Sequence, residues 1–363
     1  MKDTEFKILD ILSREIGNPI SIRKLNEKIS NIHGSSHYPA IYSTTQELTE
    51  KKILNIDKYG KSSIASLNFD NSLLIDSLAQ VELINKIQFL EDKKDWQTLV
   101  LQINGYLKDI SIIRSIIIVR PKIYAKLNRL ELFILLRDTL DFGTKELKDI
   151  KKIMELLQRV HNIRIDHLLI DEKSFEHLLR YEDSNPIKEI MSDKIVIFYP
   201  QTFWTMIKNI IDKGIRIKVE EKSISLTKIS DSDVVFNLAR FGYKEMGTTI
   251  IPGEPIGIEY IVTSILLKKD NIRRLEAIPI ILAKNNEKIN YSLLVFLASK
   301  FKVIRQLYNI LKVLDAFKPA KEVQDVMNEI KDTMIHKVKT DQQAIELSLK
   351  DMEKKMRLYN VIE

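Results

Sequence analysis

The stretch from Ile116 to Leu136 constrains the fold of this chain more than any other. An apolar run, Ile116 to Val119, leads into a turn at Pro121, and a second run follows in which Arg129, Glu131 and Phe133 alternate with Leu130, Leu132 and Ile134. Alternation with a period of two reads as a strand, so the segment is strand, turn, strand. A helical stretch from Thr144 to Val160 and a further strand from Asn162 to Ile170 come next. Beyond them lie a helix around Phe175, a short helix after Asn185-Pro186 and a last strand from Lys194 to Tyr199. Strands interleaved with helices predict a mixed sheet in an α/β arrangement.

The order of these elements resembles minimal nucleotidyltransferases, over roughly Trp96 to Gly214. In that family Gly-Ser follows the first strand and admits a triphosphate. Asp-x-Asp on the second strand holds two magnesium ions, and a third carboxylate sits on a later strand. Here Arg120 and Pro121 stand at the Gly-Ser positions, Arg129 and Glu131 at the two aspartates, and Asp166 at the third carboxylate. A guanidinium in a ligand position repels Mg²⁺, which wants hard oxygen donors. Pro121 has no N–H to offer a phosphate, and Arg120 lacks the freedom of glycine. The resemblance therefore implies a degenerate, catalytically inactive module, a pseudoenzyme in which the two-metal reaction fails.

The first 70 residues carry a second pattern. Phe6, Ile8, Leu9, Ile11, Leu12 and Ile16 recur at helical spacing before Gly17-Asn18-Pro19. Ser21 is placed to cap a second helix with Ile22, Leu25 and Ile29 on one face, and Pro39 suits the first turn of a third. Two short strands around Tyr59-Gly60-Lys61 complete the segment. Three helices and a hairpin in this order resemble the winged helix-turn-helix of prokaryotic regulators. The resemblance implies a recognition helix presenting His37, Tyr38, Tyr42, Ser43 and Gln46 to double-stranded DNA, with Lys58 and Lys61 near phosphates. Residues 1–70 hold ten Lys or Arg against nine Asp or Glu, a weaker excess than a phosphate-binding surface normally shows. The same unit would then serve as a protein-docking module.

Leu73 to Leu90 reads as a connecting helix. Val219 to Ile229 is read as a hairpin, and the Gly/Pro-rich run from Gly247 to Gly257 as a domain boundary. Helical patterns fill Ile258 to Val313, and residues 256–315 hold ten basic residues against five acidic ones. From Pro319 to Tyr359 an apolar stripe of Val323, Val326, Ile330, Met334, Val338, Ile345, Leu349, Met352 and Met356 predicts one long helix or a helical hairpin. Such a stripe needs a partner surface, either its own chain or a second copy in a homodimer.

With 363 residues the chain is too long for one ordinary core. The expected organisation is α/β multidomain: a winged helix over 1–70, a connecting helix over 71–95, a nucleotidyltransferase-like α/β domain over 96–255, a helical domain over 256–315 and a C-terminal helix or hairpin over 316–363. The whole resembles archaeal winged helix-turn-helix proteins fused to a minimal nucleotidyltransferase-like domain.

The absence of cysteine excludes disulfides, thiolate zinc sites and cysteine nucleophiles. No Gly-rich phosphate cradle occurs. His161 and His167 are too isolated to make a metal site. No cofactor and no metal are therefore expected. No apolar run is long enough for a membrane span and Met1 to Lys7 has no signal-peptide pattern, so a cytoplasmic protein is expected. Three functions follow as expectations. The first is a DNA-binding transcriptional regulator with an inactive central module. The second is an active nucleotidyltransferase using Glu131 and Asp166, and the third a protein-binding scaffold or antitoxin-like partner.

Overall fold

The computed structural model describes residues 1–60, 62–137, 144–219, 224–245, 247, 249–333 and 347–363. Among them the chain is mixed α/β, with seventeen α-helices and two sheets. It begins with α1 (Asp3–Ser13), β1 (Ile20–Ser21), α2 (Ile22–His33), α3 (Tyr38–Glu50), β2 (Leu54–Tyr59) and β3 (Ser62–Leu67). Ser21 caps α2 as expected, its hydroxyl accepting from the Lys24 N–H at 3.2 Å. The two strands of the hairpin form a small antiparallel sheet, to which β1 adds a third by pairing Ile20 with Ala65. A two-residue strand leaves no periodicity in a sequence, and none was read there.

The connecting segment is α4 (Leu73–Asp92), and it is more than a linker. It packs against α1 on one side and, on the other, against the last strand of the second sheet and the helix after it. Its Glu82 is buried and pairs with Lys194 of that strand at 3.1 Å, while also accepting the Val196 N–H at 2.9 Å. An edge strand leaves donors unpaired, and the carboxylate satisfies one of them.

The second sheet is built from α5 (Asp95–Leu107), β4 (Ile113–Val119), α6 (Pro121–Lys126), β5 (Arg129–Leu136), α7 (Lys145–His161), β6 (Arg164–Asp171), α8 (Glu172–Arg180), α9 (Pro186–Ser192), β7 (Lys194–Phe198) and α10 (Pro200–Asp212). Its strand order is β6-β5-β4-β7, with β5 and β6 parallel across the α7 crossover and the other pairs antiparallel. The expected turn at Pro121 is a short helix, because a proline at N1 gives up only an N–H that has no helical acceptor.

Both faces of the sheet are covered, so the alternation in β5 sorts side chains between two cores. Phe133 and Leu135 join the larger core, whereas Leu130, Leu132 and Ile134 join one under α5 and α7. The larger core runs without interruption from Phe6 in α1, across the sheet, to the C-terminal helices.

Those helices are α11 (Asp231–Arg240), α12 (Ile258–Lys268), α13 (Ile272–Lys284), α14 (Tyr291–Lys300), α15 (Ile304–Phe317), α16 (Lys321–Thr333) and α17 (Leu349–Leu358). Of the hairpin expected over Val219 to Ile229, residues 220–223 lie outside the described residues, and Leu226–Lys228 form a 3-10 turn. Leu226 and Ile229 are buried in the larger core there. The Gly/Pro-rich segment packs back on the α8–α9 turn, with Ser184 donating to the Pro255 carbonyl and Gly257 donating to that of Ser184.

The C-terminal stripe turns inward. Val323, Val326, Ile330, Met352 and Met356 are fully buried against the chain's own helices, α14 and α15 among them, and only Leu349 is exposed. Met334, Val338 and Ile345 lie outside the described residues. The described residues of the stripe other than Leu349 thus find their partner surface within the chain itself. No helix among the described residues is long and apolar enough to cross a membrane.

Candidate functional site

Two regions collect the residues singled out from the sequence. The first is the end of the second sheet where β5 and β6 begin. In the parallel register Arg129 lies opposite Arg164 and Glu131 opposite Asp166, so both carboxylates project to the same face. They converge, with Glu131 shut off from solvent and Asp166 half-buried beside a cavity of about 350 Å³. Arg129 Nε bonds Asp166 Oδ2, and Arg164 bonds the other Asp166 oxygen at 3.0 Å. Glu131, only 4% exposed, is held by Lys300 at 2.7 Å. Lys300 also donates to the Tyr124 hydroxyl at 3.1 Å, and the Arg129 guanidinium lies over the Tyr124 ring, 5.1 Å from its centroid.

Each oxygen that a divalent ion would need is thus already engaged by a side-chain cation. A hard cation entering here would have to displace an arginine or a lysine from a largely buried position, and it would meet like charges at close range. Among the described residues no group of three His, Cys, Asp or Glu side chains is arranged to hold a metal. His161 bonds Gln102 at 2.7 Å, and His167 sits on β6.

Arg120 occupies the neighbouring loop with left-handed backbone, φ 45°, immediately before Pro121. Its side chain crosses to Glu189 of α9, a carboxylate that also accepts from the Tyr260 hydroxyl at 2.8 Å and the Ile224 N–H at 2.9 Å. Burial pushes the Glu189 carboxyl above its ordinary range even with the guanidinium beside it. The Arg120–Glu189 ion pair, with the Tyr260 hydroxyl, thus ties the start of α6 to α9 and α12. Lys300 and Tyr124 complete the cluster, and nothing in the local sequence marks Lys300 as a partner of Glu131, 169 positions away. Arg164, two residues before Asp166 on the same strand, was within reach of strand periodicity.

The second region is the face of α3. Ile41, Thr44, Thr45 and Leu48 turn inward, while His37, Tyr38, Tyr42 and Ser43 are exposed and Gln46 is half-buried. Tyr38 and Tyr42, one helical turn apart, have ring centroids 6.3 Å from one another. Lys58 is exposed on β2, and Tyr59 at the tip of the hairpin is 80% exposed, the most accessible large hydrophobic side chain among the described residues. Tyr59 was read only as part of a turn. Lys61 lies outside the described residues.

A buried polar seam ties this unit to the second sheet. Asp10 of α1, 1% exposed, accepts from Arg14 at 3.0 Å, from Asn85 of α4 at 2.8 Å, and contacts His33 Nε2 at 3.1 Å. Burial alone would raise its pKa, but Arg14, His33 and Asn85 outweigh it and hold the carboxyl well below the usual range. On the opposite flank Gly17, φ 78°, lies against the Ile217 carbonyl, and Asn18 donates to the Val219 carbonyl at 2.8 Å.

No family profile, no curated protein and no solved structure matches this chain.

Proposed function

We propose that this protein is a winged helix-turn-helix regulator of transcription that binds double-stranded DNA through α3, and that its central sheet is a nucleotidyltransferase-like module without catalytic activity, kept for binding or assembly. The observation that carries the DNA reading is the division of α3 into two faces. Its apolar residues are spent on the core, and the outer face offers two tyrosines, a serine and a glutamine, side chains able to bond phosphate oxygens and base edges. Loss of catalysis is supported by the cations on Glu131 and Asp166.

The near-balance of charge in residues 1–70 and the exposed Tyr59 favour one second reading, in which the same unit docks a protein. Selection from a random DNA duplex pool, followed by titration of any enriched site, separates the two. DNA recognition gives an enriched sequence whose binding is weakened by Gln46→Ala at one base position, by about 1–3 kcal/mol. Failure to enrich any sequence, with residual binding indifferent to Tyr42→Ala and Gln46→Ala, leaves the docking role in its place.

A further inference from the structure

A cavity of about 360 Å³ opens between the α8–α9 turn, α11 and the start of α12. Its wall includes Glu259, the second residue of α12, which is 3% exposed. The Glu259 carboxyl accepts the Asn290 N–H at 2.8 Å, and among the described residues no cation pairs with it. That is unusual for a buried acid, because taking a carboxylate out of water costs several kcal/mol unless a counter-charge offsets it. Burial, reinforced by the nearby Asp183, pushes its pKa up to about 7 in spite of backbone hydrogen bonds that lower it.

The other charges around the cavity do not supply the counter-ion. Arg240 is committed to Asp183 and, at 2.6 Å, to Asn237 Oδ1. Lys288 is exposed and, among the described residues, forms no ion pair. Three acidic residues, Glu182, Asp183 and Glu259, thus line one space whose guanidinium, Arg240, is already engaged. Leu178, Ile258 and Phe241 line the remainder and give an apolar wall against which a short aliphatic stem packs.

We propose that this cavity binds a small organic cation, a protonated primary amine or guanidinium on an aliphatic stem, with Glu259 as its counter-ion. An ammonium or guanidinium donates several hydrogen bonds and leaves its stem to the apolar wall. A bare divalent ion is a poorer fit, since among the described residues no three carboxylates are arranged to hold one and the apolar wall offers it no oxygen.

The test is thermal unfolding of the full-length protein at pH 8 with n-butylamine and with agmatine, against n-butanol and against KCl at matched ionic strength. The expected result is a saturable rise in Tm with at least one of the two cations, absent with both controls, and lost in Glu259→Gln, which keeps the acceptor for Asn290 but not the charge. Calorimetric titration of the same variant should show affinity weakened at least tenfold. Should Glu259→Gln fail to fold, Glu259→Asp, which keeps the charge but withdraws it, should weaken binding instead. A response to neither cation, a response equal to that of KCl, or one unchanged in the Glu259 variants would overturn the proposal.

Discussion

Lys300, the last residue of α14, lies 2.7 Å from Glu131 on β5. The contact joins the C-terminal helices to the end of the sheet and neutralises a carboxylate that has almost no access to water. It makes the cluster a structural feature, and the first consequence is energetic. Lys300→Ala leaves Glu131 buried with only Arg129, 3.8 Å away, in partial compensation. The variant should lose about 3 kcal/mol in urea unfolding. Adding Glu131→Gln to it should recover a large part of that loss, and a double variant no more stable than the single one would contradict the coupling.

Catalytic behaviour follows from the same cluster. Addition of millimolar Mg²⁺ or Mn²⁺ should leave Tm unchanged, and incubation with labelled ATP, CTP, GTP or UTP should transfer no nucleotide to any acceptor. Incorporation that vanishes in Glu131→Ala or Asp166→Ala would restore the active-enzyme reading.

Stability near neutral pH should carry the mark of Glu259. Its pKa is raised in the folded protein from 4.5 to about 7, so the folded state holds the proton more tightly. Stability is therefore highest below the unfolded pKa, falls as pH rises from about 4.5 to 7, and levels off above, a loss of roughly 3 kcal/mol. Glu259→Gln should flatten this part of the profile and unfold at a higher temperature than the parent at pH 8. Urea titrations at half-unit pH steps are the check.

Asp10 has the opposite sign. Its pKa is lowered in the folded state, so the seam between α1, α2 and α4 contributes fully above the unfolded value of 3.8 and weakens as pH falls below it. Asp10→Ala removes the acceptor of Arg14 and Asn85 in a buried site and should cost about 3 kcal/mol at pH 7. The difference from the parent should shrink toward pH 3 in the same unfolding assay.

Gly17 sets a steric condition for the docking of α1 against the segment after α10. A Cβ there would stand 1.5 Å from the Ile217 carbonyl oxygen, on a backbone already at φ 78°. Gly17→Ala should therefore cost more than about 3 kcal/mol, by strain and by displacement of the segment. Gly34→Ala, at φ 84° with open space around it, should cost less, and equal losses in the two would rule out the close approach as the cause.

Much of the local structure was legible in the order of residues. Ser21 as a cap, the hairpin around Gly60, the strands on either side of Pro121 and the helix after Thr144 depend on capping groups, turn residues and periodicity, all properties of neighbours in sequence. The convergence of Glu131 and Asp166 on one face was legible too, as far as strand pairing could be guessed. The partners of those carboxylates were not. Arg129 came within view, but Lys300 reaches Glu131 only because α14 packs on β6, and no local pattern encodes that packing. The C-terminal stripe shows the same division. Its spacing fixed an amphipathic helix, whereas the surface that covers it, the protein's own α14 and α15, was decided by how the chain folds back on itself. Periodicity states which side of an element avoids water. Only the assembled core determines what lies on that side, because contacts between distant segments depend on the shapes and charges of both.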